Sequence, residues 1–387
     1  MTTRAAEVPT DWVVVAAALL GGIAAALQIG KASAVLVPLA ERFSVGVADT
    51  ALYLSLFSIG AATLGLAVGV AATRVAPLGA GLLGLGLIGT GSLAGGLADS
   101  WTALLAARAV EALGFPLVVA TMPALIQAHS TGKHRVLAMG FWATWLPFGI
   151  AFALGLSLIG DLVEAWRSYL ALCGTIPLAA AALLFLAARR SAPRALPQST
   201  IGWPDQATLA VAVLFGLFSA SYLIVQGFLP TIAVDLWNFG PNGASGIGAT
   251  AALLVILGNL AASVLMTRGV PLLWLYAGAM AGMAVAAAVL VSGALPTGLR
   301  LGAALVFTTA AGMPPAVIWA LVPRLSAGAG IGAAIVAGTL YQGAGLGQLA
   351  GPVAAGFAIE ASGSWTGAFT VIAAVTAVAL VLSVATL

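Results

Sequence analysis

The sequence predicts an all-α polytopic membrane protein with twelve transmembrane helices in two pseudo-symmetric six-helix halves. Of its 387 residues, 62% are hydrophobic and only 6% are charged, and the mean hydropathy is +1.13. Water-soluble domains do not have this composition. Apolar stretches of roughly 20 residues, enough to cross a bilayer core as a helix, follow one another almost without interruption. The alternating pattern of an outer-membrane barrel is absent from the sequence, which leaves a helical bundle.

Polar breaks between the apolar stretches set the limits of each predicted span. The spans cover residues 12–39, 49–71, 77–97, 101–127, 136–159, 168–187, 207–230, 245–266, 271–293, 297–321, 331–357 and 366–386. The first apolar stretch runs on without a small-residue cleavage site, so we interpret it as a retained span and not as a signal peptide.

One polar break is longer than the others and divides the predicted spans six and six. It covers residues 188–206, is rich in arginine and contains proline. We therefore predict an N-terminal six-helix half at 1–187, a cytoplasmic linker at 188–206 and a C-terminal six-helix half at 207–387. The halves resemble each other at a constant offset of 192 residues, which pairs Pro38 with Pro230, Arg108 with Arg300 and Pro123 with Pro315. Such duplication is typical of transporters whose substrate site lies between the repeats.

The basic residues are unequally divided between the two sides of the predicted membrane. An even number of spans puts both termini on one side. The basic residues on that side are Arg4, Arg74, Lys133, Arg135, Arg189, Arg190, Arg194, Arg268 and Arg324, whereas Arg42, Arg167 and Arg300 lie opposite. The positive-inside rule then predicts cytoplasmic termini and a cytoplasmic linker.

Three charged residues lie well inside predicted spans: Lys31, Arg108 and Glu111. A charge at the centre of a span costs about 2.5–3.5 kcal/mol, so such groups normally face the bundle interior or a wet cavity. Lys31, with Gln28 on the same helical face, is interpreted as a cavity-facing cation, and an interfacial anchor is the alternative. Arg108 and Glu111 are three residues apart on one face. They form either a structural ion pair or a pair whose carboxylate takes up a proton when the arginine engages a substrate.

The sequence gives no sign of a cofactor or of nucleic-acid binding. Cys173 is the single cysteine, and the two histidines, His129 and His134, share one loop, so no cluster with metal-ligand spacing is present in the sequence. The basic residues are dispersed over loops and form no patch. We therefore predict no cofactor, no metal and no nucleic-acid partner.

Two motifs resemble those of the major facilitator superfamily. The stretch GVAATRVAPL between the second and third spans keeps Gly69 and Arg74 of the family's G-x-x-x-D-R-x-G-R-R loop, with Thr73 in place of the aspartate. In the fourth span, RAVEALG matches R-x-x-Q-G-x-G at Arg108, and Glu111 replaces the glutamine. The stretches AWRSYL and GQLAGPVAAGFAIEASGSWTGAF are also similar to the family. The resemblance covers essentially the whole chain.

Two finer comparisons concern branches of the family. The stretches MPALIQAHSTGKHRVLAMGFWA and AIVAGTLYQGAGLGQLAGPVAAG resemble the branch that includes the bacterial cyanate transporter. The G-x-x-x-G-P-x-x-G-G element that drug antiporters carry in their fifth span is not found in WATWLPFGIAFALG. Its absence disfavours proton-coupled drug efflux.

The resemblance implies a secondary transporter that works by alternating access as a monomer in the bacterial inner (plasma) membrane. Its conformational-switch loop would contain Gly69 and Arg74. The first and fourth spans of each half line the family's central cavity, so Lys31, Arg108 and Arg300 are expected to converge on one positively biased site. For Arg300, close to a span end, a role at the membrane rim is an equal alternative.

A site with buried positive charge predicts a small anion as substrate, organic or inorganic and carboxylate-like, because such charge is costly until an anion enters. Lys31 and Arg108 would dock the anion, and Glu111 would be the proton-coupling residue. Further substrate contacts, each weighed against a plain packing role, are expected from Gln28, Tyr222, Gln226, Asn259, Tyr341 and Gln342.

Other functions remain open from the sequence. Coupling is either to protons, by symport or antiport, or to exchange of solutes. The alternative within transport is proton-coupled efflux of hydrophobic or cationic drug-like compounds, in which Glu111 would face the substrate. A membrane enzyme would need an intramembrane metal or a nucleophile with a histidine, and a sensor would need a signalling domain, so we expect neither. The predicted partners are a small anionic solute, the lipid bilayer and protons.

Overall fold

The computed structural model describes residues 9–71, 76–159, 165–190 and 200–387, which are helical with connecting turns and contain no strand. Three of the basic residues used above, Arg4, Arg74 and Arg194, lie outside the described residues, as do residues 191–199 of the predicted linker.

In the part of the chain that the structure describes, the N-terminal half contains eight helical segments and the C-terminal half seven. The first eight are α1 Trp12–Phe43, α2 Val47–Leu56, α3 Ile59–Ala71, α4 Pro77–Gly96, α5 Trp101–Ala128, α6 Gly132–Trp142, α7 Trp145–Leu156 and α8 Trp166–Ala188. The others are α9 Gln206–Trp237, α10 Pro241–Thr267, α11 Leu272–Leu290, α12 Thr297–Ala311, α13 Met313–Ala329, α14 Ala333–Ser362 and α15 Thr366–Thr386.

These segments correspond in order to the twelve predicted spans. Within the described residues, ten stretches are long and apolar enough to cross a membrane, and the pair α6 and α7, bent by 45°, makes up to eleven. The remaining predicted span, 331–357, is α14, which is 30 residues long and falls outside that set. Over the described ranges three spans are interrupted: the second between α2 and α3, the fifth between α6 and α7, and the tenth between α12 and α13. The structure thus confirms the predicted fold class.

The first helix of each half begins in the same way. Asp11 Oδ1 accepts hydrogen bonds from the backbone N–H groups of Val13 at 3.1 Å and Val14 at 3.2 Å. Asp205 Oδ1 accepts one from the backbone N–H of Thr208 at 2.9 Å. Both aspartates are N-caps, which supply acceptors for backbone donors that have no partner within the helix.

Each half packs around its first helix, and the halves meet along four pairs of described helices. In the N-terminal half α1 packs on α5, α7 and α8, while α9 packs on α10, α14 and α15 in the C-terminal half. Between the halves, α14 lies along α2 and α3, α7 contacts α10, and α1 contacts α9. Small residues allow the close approach of α14 to α3, because a Cβ on Gly69 would lie 2.8 Å from the Ala334 carbonyl oxygen.

The twelve spans define two sides of the bundle. The terminal side is the one where the chain enters α1 and leaves α15, and the other is the opposite side. Of the described basic residues, Lys133, Arg189 and Arg268 lie at helix ends on the terminal side, and Arg42 and Arg167 lie at helix ends on the opposite side.

Candidate functional site

Lys31, Arg108 and Glu111 form one buried charge cluster inside the N-terminal half. Lys31 Nζ lies 2.6 Å from Glu111 Oε1, and Arg108 Nη1 lies 2.5 Å from Glu111 Oε2. The side chains of both cations are fully buried, and that of Glu111 is 3% exposed. One carboxylate therefore bridges two cations that belong to different spans.

Helix geometry brings these three groups to one depth. Arg108 and Glu111 are three residues apart in α5 and so share a face. Glu111 lies about 15 Å of helix rise after the start of α5 at Trp101, and Lys31 about 18 Å before the end of α1 at Phe43. Both ends are on the opposite side of the bundle, so the cluster lies near the middle of the membrane.

Lys31 points into its own half. Its Nζ also donates to Ser92 Oγ of α4 at 2.8 Å, and Ser92 Oγ donates to the Leu170 carbonyl of α8 at 2.8 Å. Gln28, on the same face of α1, donates through Nε2 to the Cys173 carbonyl of α8 at 3.0 Å. The shared face of Lys31 and Gln28 was predicted, and the structure turns it toward α4, α5 and α8. Lys31 Nζ is therefore held inside the N-terminal half, away from the membrane interface of the anchor alternative and also turned from the space between the halves that a cavity-facing cation would reach.

Arg108 has an unused donor. Its Nε donates to the Tyr53 carbonyl at 3.3 Å, and its guanidinium carbon lies 4.5 Å from the centroid of the Phe57 ring, a cation–π distance. Nη2 is buried and has no hydrogen-bond partner among the described residues. A buried donor without a partner costs free energy until an acceptor reaches it.

Aromatic rings surround the cluster on two sides. Phe57 packs on Phe115 with ring centroids 4.6 Å apart, and Phe115 lies 5.9 Å from Trp145 at the start of α7. Toward the opposite side, Tyr53 lies 5.9 Å from Trp101. The Tyr53 and Phe57 rings both lie against the Arg108 guanidinium, whose carbon is 5.3 Å and 4.5 Å from their centroids.

The predicted contacts of the C-terminal half form a separate group. Tyr222 stacks on Phe218, with centroids 5.8 Å apart, and Tyr341 lies 5.7 Å from Trp319. Gln226 is buried and donates through Nε2 to the Gly248 carbonyl at 3.2 Å, while its Oε1 has no partner in the described part of the chain. Asn259 lies half-buried in α10. The structure brings Tyr222 and Tyr341 into one aromatic series with Phe215, Phe218 and Trp319.

Arg300 does not join the cluster, so the predicted convergence of three cations is wrong. Its Nη1 donates to the Leu236 carbonyl at 3.1 Å, and its Nη2 donates to Thr297 Oγ1 at 3.3 Å. The residue that corresponds to Glu111 at the offset of 192 is Ala303. Because the corresponding position carries no carboxylate, the guanidinium binds carbonyl and hydroxyl oxygens near the opposite side instead.

Two other predicted residues lie at the contact between the halves. Gln342 Oε1 of α14 accepts a hydrogen bond from the Leu66 backbone N–H of α3 at 3.1 Å. Gly69 packs against the same helix, whereas its partner in the predicted switch loop, Arg74, lies outside the described residues.

Four residues near the site were not predicted from the sequence: Ser92, Phe57, Ser58 and Gln348. The last two form a pair, in which Ser58 Oγ donates to Gln348 Oε1 at 2.8 Å. Serine is common among the small residues of membrane helices, so Ser92 stands out by no pattern. Gln348 is the one of these four that carried a signal, since an amide inside a span needs a polar partner.

The comparisons with known proteins decide the family. The sequence model of the Major Facilitator Superfamily matches residues 17–345. The chain belongs to this superfamily. It is therefore a multi-pass membrane transporter and not an enzyme, and its fold implies secondary transport of a small-molecule substrate by alternating access. No curated protein sequence matches it significantly.

Solved structures of superfamily transporters have the same fold. One is a crystal structure of a bacterial homologue of the human lysosomal transporter Spinster, inward-facing and unoccupied. Its TM-score is 0.72 and its sequence identity 17%, and the match covers 97% of this chain and 95% of that chain. The inward-facing, occupied form of such a homologue has a TM-score of 0.73 and 16% identity, and the match covers 97% of this chain and 96% of that chain. At this identity the likeness concerns the fold alone.

Proposed function

We propose that this superfamily member is a proton-coupled symporter of a small carboxylate-like anion, organic or inorganic. The observation that carries the proposal is that one buried carboxylate, Glu111, holds two buried cations, Lys31 and Arg108. In this arrangement Glu111 is the coupling residue, and the two cations are the groups that dock the anion.

The charge of the cluster favours an anionic substrate. With all three groups ionised, two cations face one carboxylate, and a buried unpaired charge is costly. Arg108 Nη2 also has no hydrogen-bond partner among the described residues. An anion supplies both the missing negative charge and the missing acceptor, and arginine binds carboxylates with two parallel hydrogen bonds.

Competition between Glu111 and the anion accounts for the coupling. Both Glu111 oxygens are engaged, one by Lys31 and one by Arg108. Protonation removes the charge of the carboxylate and weakens both contacts, which leaves the cations to the solute. The proton and the anion therefore bind together, and carrying both across the membrane is symport.

The geometry disfavours the alternative of efflux of cationic compounds. A cationic solute needs a carboxylate that is free to pair with it, and both oxygens of Glu111 already accept hydrogen bonds from cations. Antiport of a hydrophobic compound and exchange of anions without protons are outcomes that the experiment below separates.

Residues of the C-terminal half complete the proposed path of the solute. Tyr222 and Tyr341 belong to its aromatic series, and Gln226 offers a buried amide oxygen without a described partner. We assign contacts with the body of the solute to these residues and to Asn259. Gln28 has the narrower role of fixing α1 against α8 beside Lys31.

The proposed orientation places both termini in the cytoplasm of a bacterial cell and the protein in its inner membrane, as a monomer. Support comes from the basic residues at helix ends on the terminal side, among them Lys133, Arg189 and Arg268.

Uptake into proteoliposomes tests the proposal. Acetate, benzoate, nitrate and cyanate are offered with and without an inward proton gradient to the wild type, Lys31→Ala and Glu111→Gln, with the exposed Lys133→Ala as matched control. We expect saturable, gradient-driven anion uptake that falls at least about tenfold in Lys31→Ala and is unchanged in Lys133→Ala. Glu111→Gln should lose the gradient-driven component and keep anion exchange.

Any one of three results would contradict the proposal. The first is that no anion is taken up at all. The others are that Lys31→Ala transports anions as well as the wild type, or that the proton gradient drives uptake by Glu111→Gln as strongly as uptake by the wild type. Uptake that never depends on the gradient indicates anion exchange. Gradient-driven movement of a cationic dye indicates the efflux alternative.

A further inference from the structure

The second span is interrupted beside the charge cluster. The helix α2 ends at Leu56, Phe57 and Ser58 form a turn, and α3 begins at Ile59. No proline explains the break, since the sequence of residues 47–71 contains none. The Ser58 N–H bonds to the Ser55 carbonyl at 2.8 Å, which tightens the last turn of α2.

Arg108 acts as a C-terminal cap of α2. The carbonyls in the last turn of a helix lack full intrahelical partners and carry a partial negative charge, so a cation stabilises this end. Arg108 Nε donates to the Tyr53 carbonyl in that turn at 3.3 Å. Its guanidinium also lies against the ring of Phe57, the first residue of the break. The same side chain thus holds Glu111 on one side and the end of α2 on the other.

The break also lies at the contact with the C-terminal half. Ser58 is buried, and its Oγ donates to Gln348 Oε1 of α14 at 2.8 Å. Just beyond it, α14 is so close that a Cβ on Gly345 would lie 2.5 Å from the Ala62 backbone nitrogen. A change in the turn at residues 57–58 therefore moves the surface on which α14 packs.

We propose that this break transmits the state of the charge cluster to the contact between the halves, with Ser58 and Gln348 as positioning residues. The inference rests on the proposed function, in which Glu111 and the solute compete for Arg108. While Glu111 is ionised, Arg108 caps α2 and the turn keeps Ser58 on Gln348. When Glu111 is protonated and Arg108 turns to the anion, the cap is lost, the turn rearranges and the contact with α14 opens.

The route is short and physically continuous. It runs from Glu111 through Arg108 to the last turn of α2, and from there through Ser58 to Gln348, with hydrogen bonds of 2.5, 3.3 and 2.8 Å at the three side-chain steps. Packed helices do not deform continuously, so a small change at one end selects between discrete arrangements of the halves.

Distances between spin labels test the route. Labels are placed at Lys133→Cys and Arg324→Cys, exposed positions on the terminal sides of the two halves, in a Cys173→Ala background. Glu111→Gln imitates the protonated carboxylate. The matched pair is Ser58→Ala against Thr63→Ala, because Thr63 lies in α3, is exposed, and its hydroxyl bonds only to the Ile59 carbonyl of its own helix.

We expect Glu111→Gln to shift the distribution of distances between the two labels. Adding Ser58→Ala to Glu111→Gln should remove at least about half of that shift, and adding Thr63→Ala should leave the shift unchanged. Arg108→Gln, which removes the cap of α2 directly, should reproduce the shift if Glu111→Gln does not fold. The proposal is overturned when the shift is the same in the Ser58→Ala and Thr63→Ala backgrounds, or when neither Glu111→Gln nor Arg108→Gln moves the halves.

Uptake separates this inference from the proposed function. Gradient-driven anion uptake that survives with full coupling in Ser58→Ala overturns the route through the break and leaves the symport proposal standing. Absence of anion uptake in the wild type overturns symport, whatever the labels show. We expect Ser58→Ala to lower gradient-driven uptake about fivefold, the effect of losing one buried hydrogen bond, while anion exchange stays within about twofold of the wild type.

Discussion

The two halves of the protein share a fold and differ in what they bury. The N-terminal half contains a charge cluster in which Glu111 bridges Lys31 and Arg108. At the offset of 192 residues, the C-terminal half has Leu223 in place of the lysine and Ala303 in place of the glutamate. The arginine is kept at 300, and there it binds a backbone carbonyl near a helix end.

The difference shows what a single carboxylate does in a membrane bundle. An arginine inside a span needs acceptors, and the nearest good acceptor sets where its guanidinium goes. In the N-terminal half Glu111 draws Arg108 and Lys31 into the interior, where they can respond to a proton. In the C-terminal half, no carboxylate occupies the corresponding position, and the interior is occupied by aromatic rings and amides such as Gln226.

Removal of the bridging carboxylate should have the largest effect on stability. Glu111→Ala leaves Lys31 and Arg108 buried without their anionic partner, and breaking a buried ion pair in this way costs about 3–5 kcal/mol. We expect a fall of that size in unfolding free energy, measured by thermal unfolding in detergent.

A second substitution sharpens this test. Lys31→Met added to Glu111→Ala removes one of the two unpaired cations, so the double variant should regain part of the lost stability. Costs that simply add would mean that Lys31 and Glu111 do not interact in the folded protein. The exposed Asp99→Asn is the control for loss of a carboxylate, because the side chain of Asp99 is 91% exposed.

Replacing Arg108 and Arg300, the two arginines that correspond at the offset of 192 residues, compares the halves directly. Arg108→Met removes a ligand of Glu111 and the donor to the Tyr53 carbonyl, whereas Lys31 still compensates the carboxylate. We expect a cost of about 2–3 kcal/mol. Arg300→Met loses contacts with one carbonyl and one hydroxyl at a half-buried site, and should cost about 1 kcal/mol. Equal costs in thermal unfolding would remove the contrast between the halves.

Ser92→Ala tests how tightly Lys31 is held. The hydroxyl accepts from Lys31 Nζ and donates to the Leu170 carbonyl, so its loss leaves a buried ammonium with one partner fewer. We expect about 1–2 kcal/mol of destabilisation. Thr90→Ala is the control in the same helix, because the Thr90 hydroxyl is exposed and bonds only to carbonyls of its own helix. A cost no larger than that of the control would mean that Ser92 does not hold Lys31.

The smallest expected effect concerns a feature that the halves share, the aspartate N-cap. The Thr208 side chain and its backbone N–H, both beside the carboxylate, hold the pKa of Asp205 below its usual value. The stabilisation is therefore present above a pH of about 4 and is lost as the pH falls through the lowered pKa of the folded state.

Asp205→Ala should cost about 0.5–1 kcal/mol at neutral pH, since the cap is only partly buried. Asp205→Asn keeps a capping oxygen and should remove the dependence on acid while preserving most of the stability. Thermal unfolding at pH 6 and pH 3 measures both effects. If wild type and Asp205→Asn respond alike to acid, the carboxylate at 205 contributes nothing.

The sequence by itself determined the order of the spans, because the need to satisfy every backbone group in lipid makes each long apolar stretch a helix. It also determined that Lys31, Arg108 and Glu111 are the buried charges, and that the last two share a face, since helical periodicity is local.

Only the tertiary structure decided which helices these residues face. All sides of such helices are apolar, so no pattern tells the side that meets lipid from the side that meets another helix. Packing directs Lys31 toward Glu111 and Ser92 and keeps Arg300 apart from the cluster. It also places Gln342 at the contact between the halves. It also placed the break at Phe57 and Ser58 beside Arg108, because a helix end in the membrane interior is stable only where neighbouring helices supply partners for its free carbonyls.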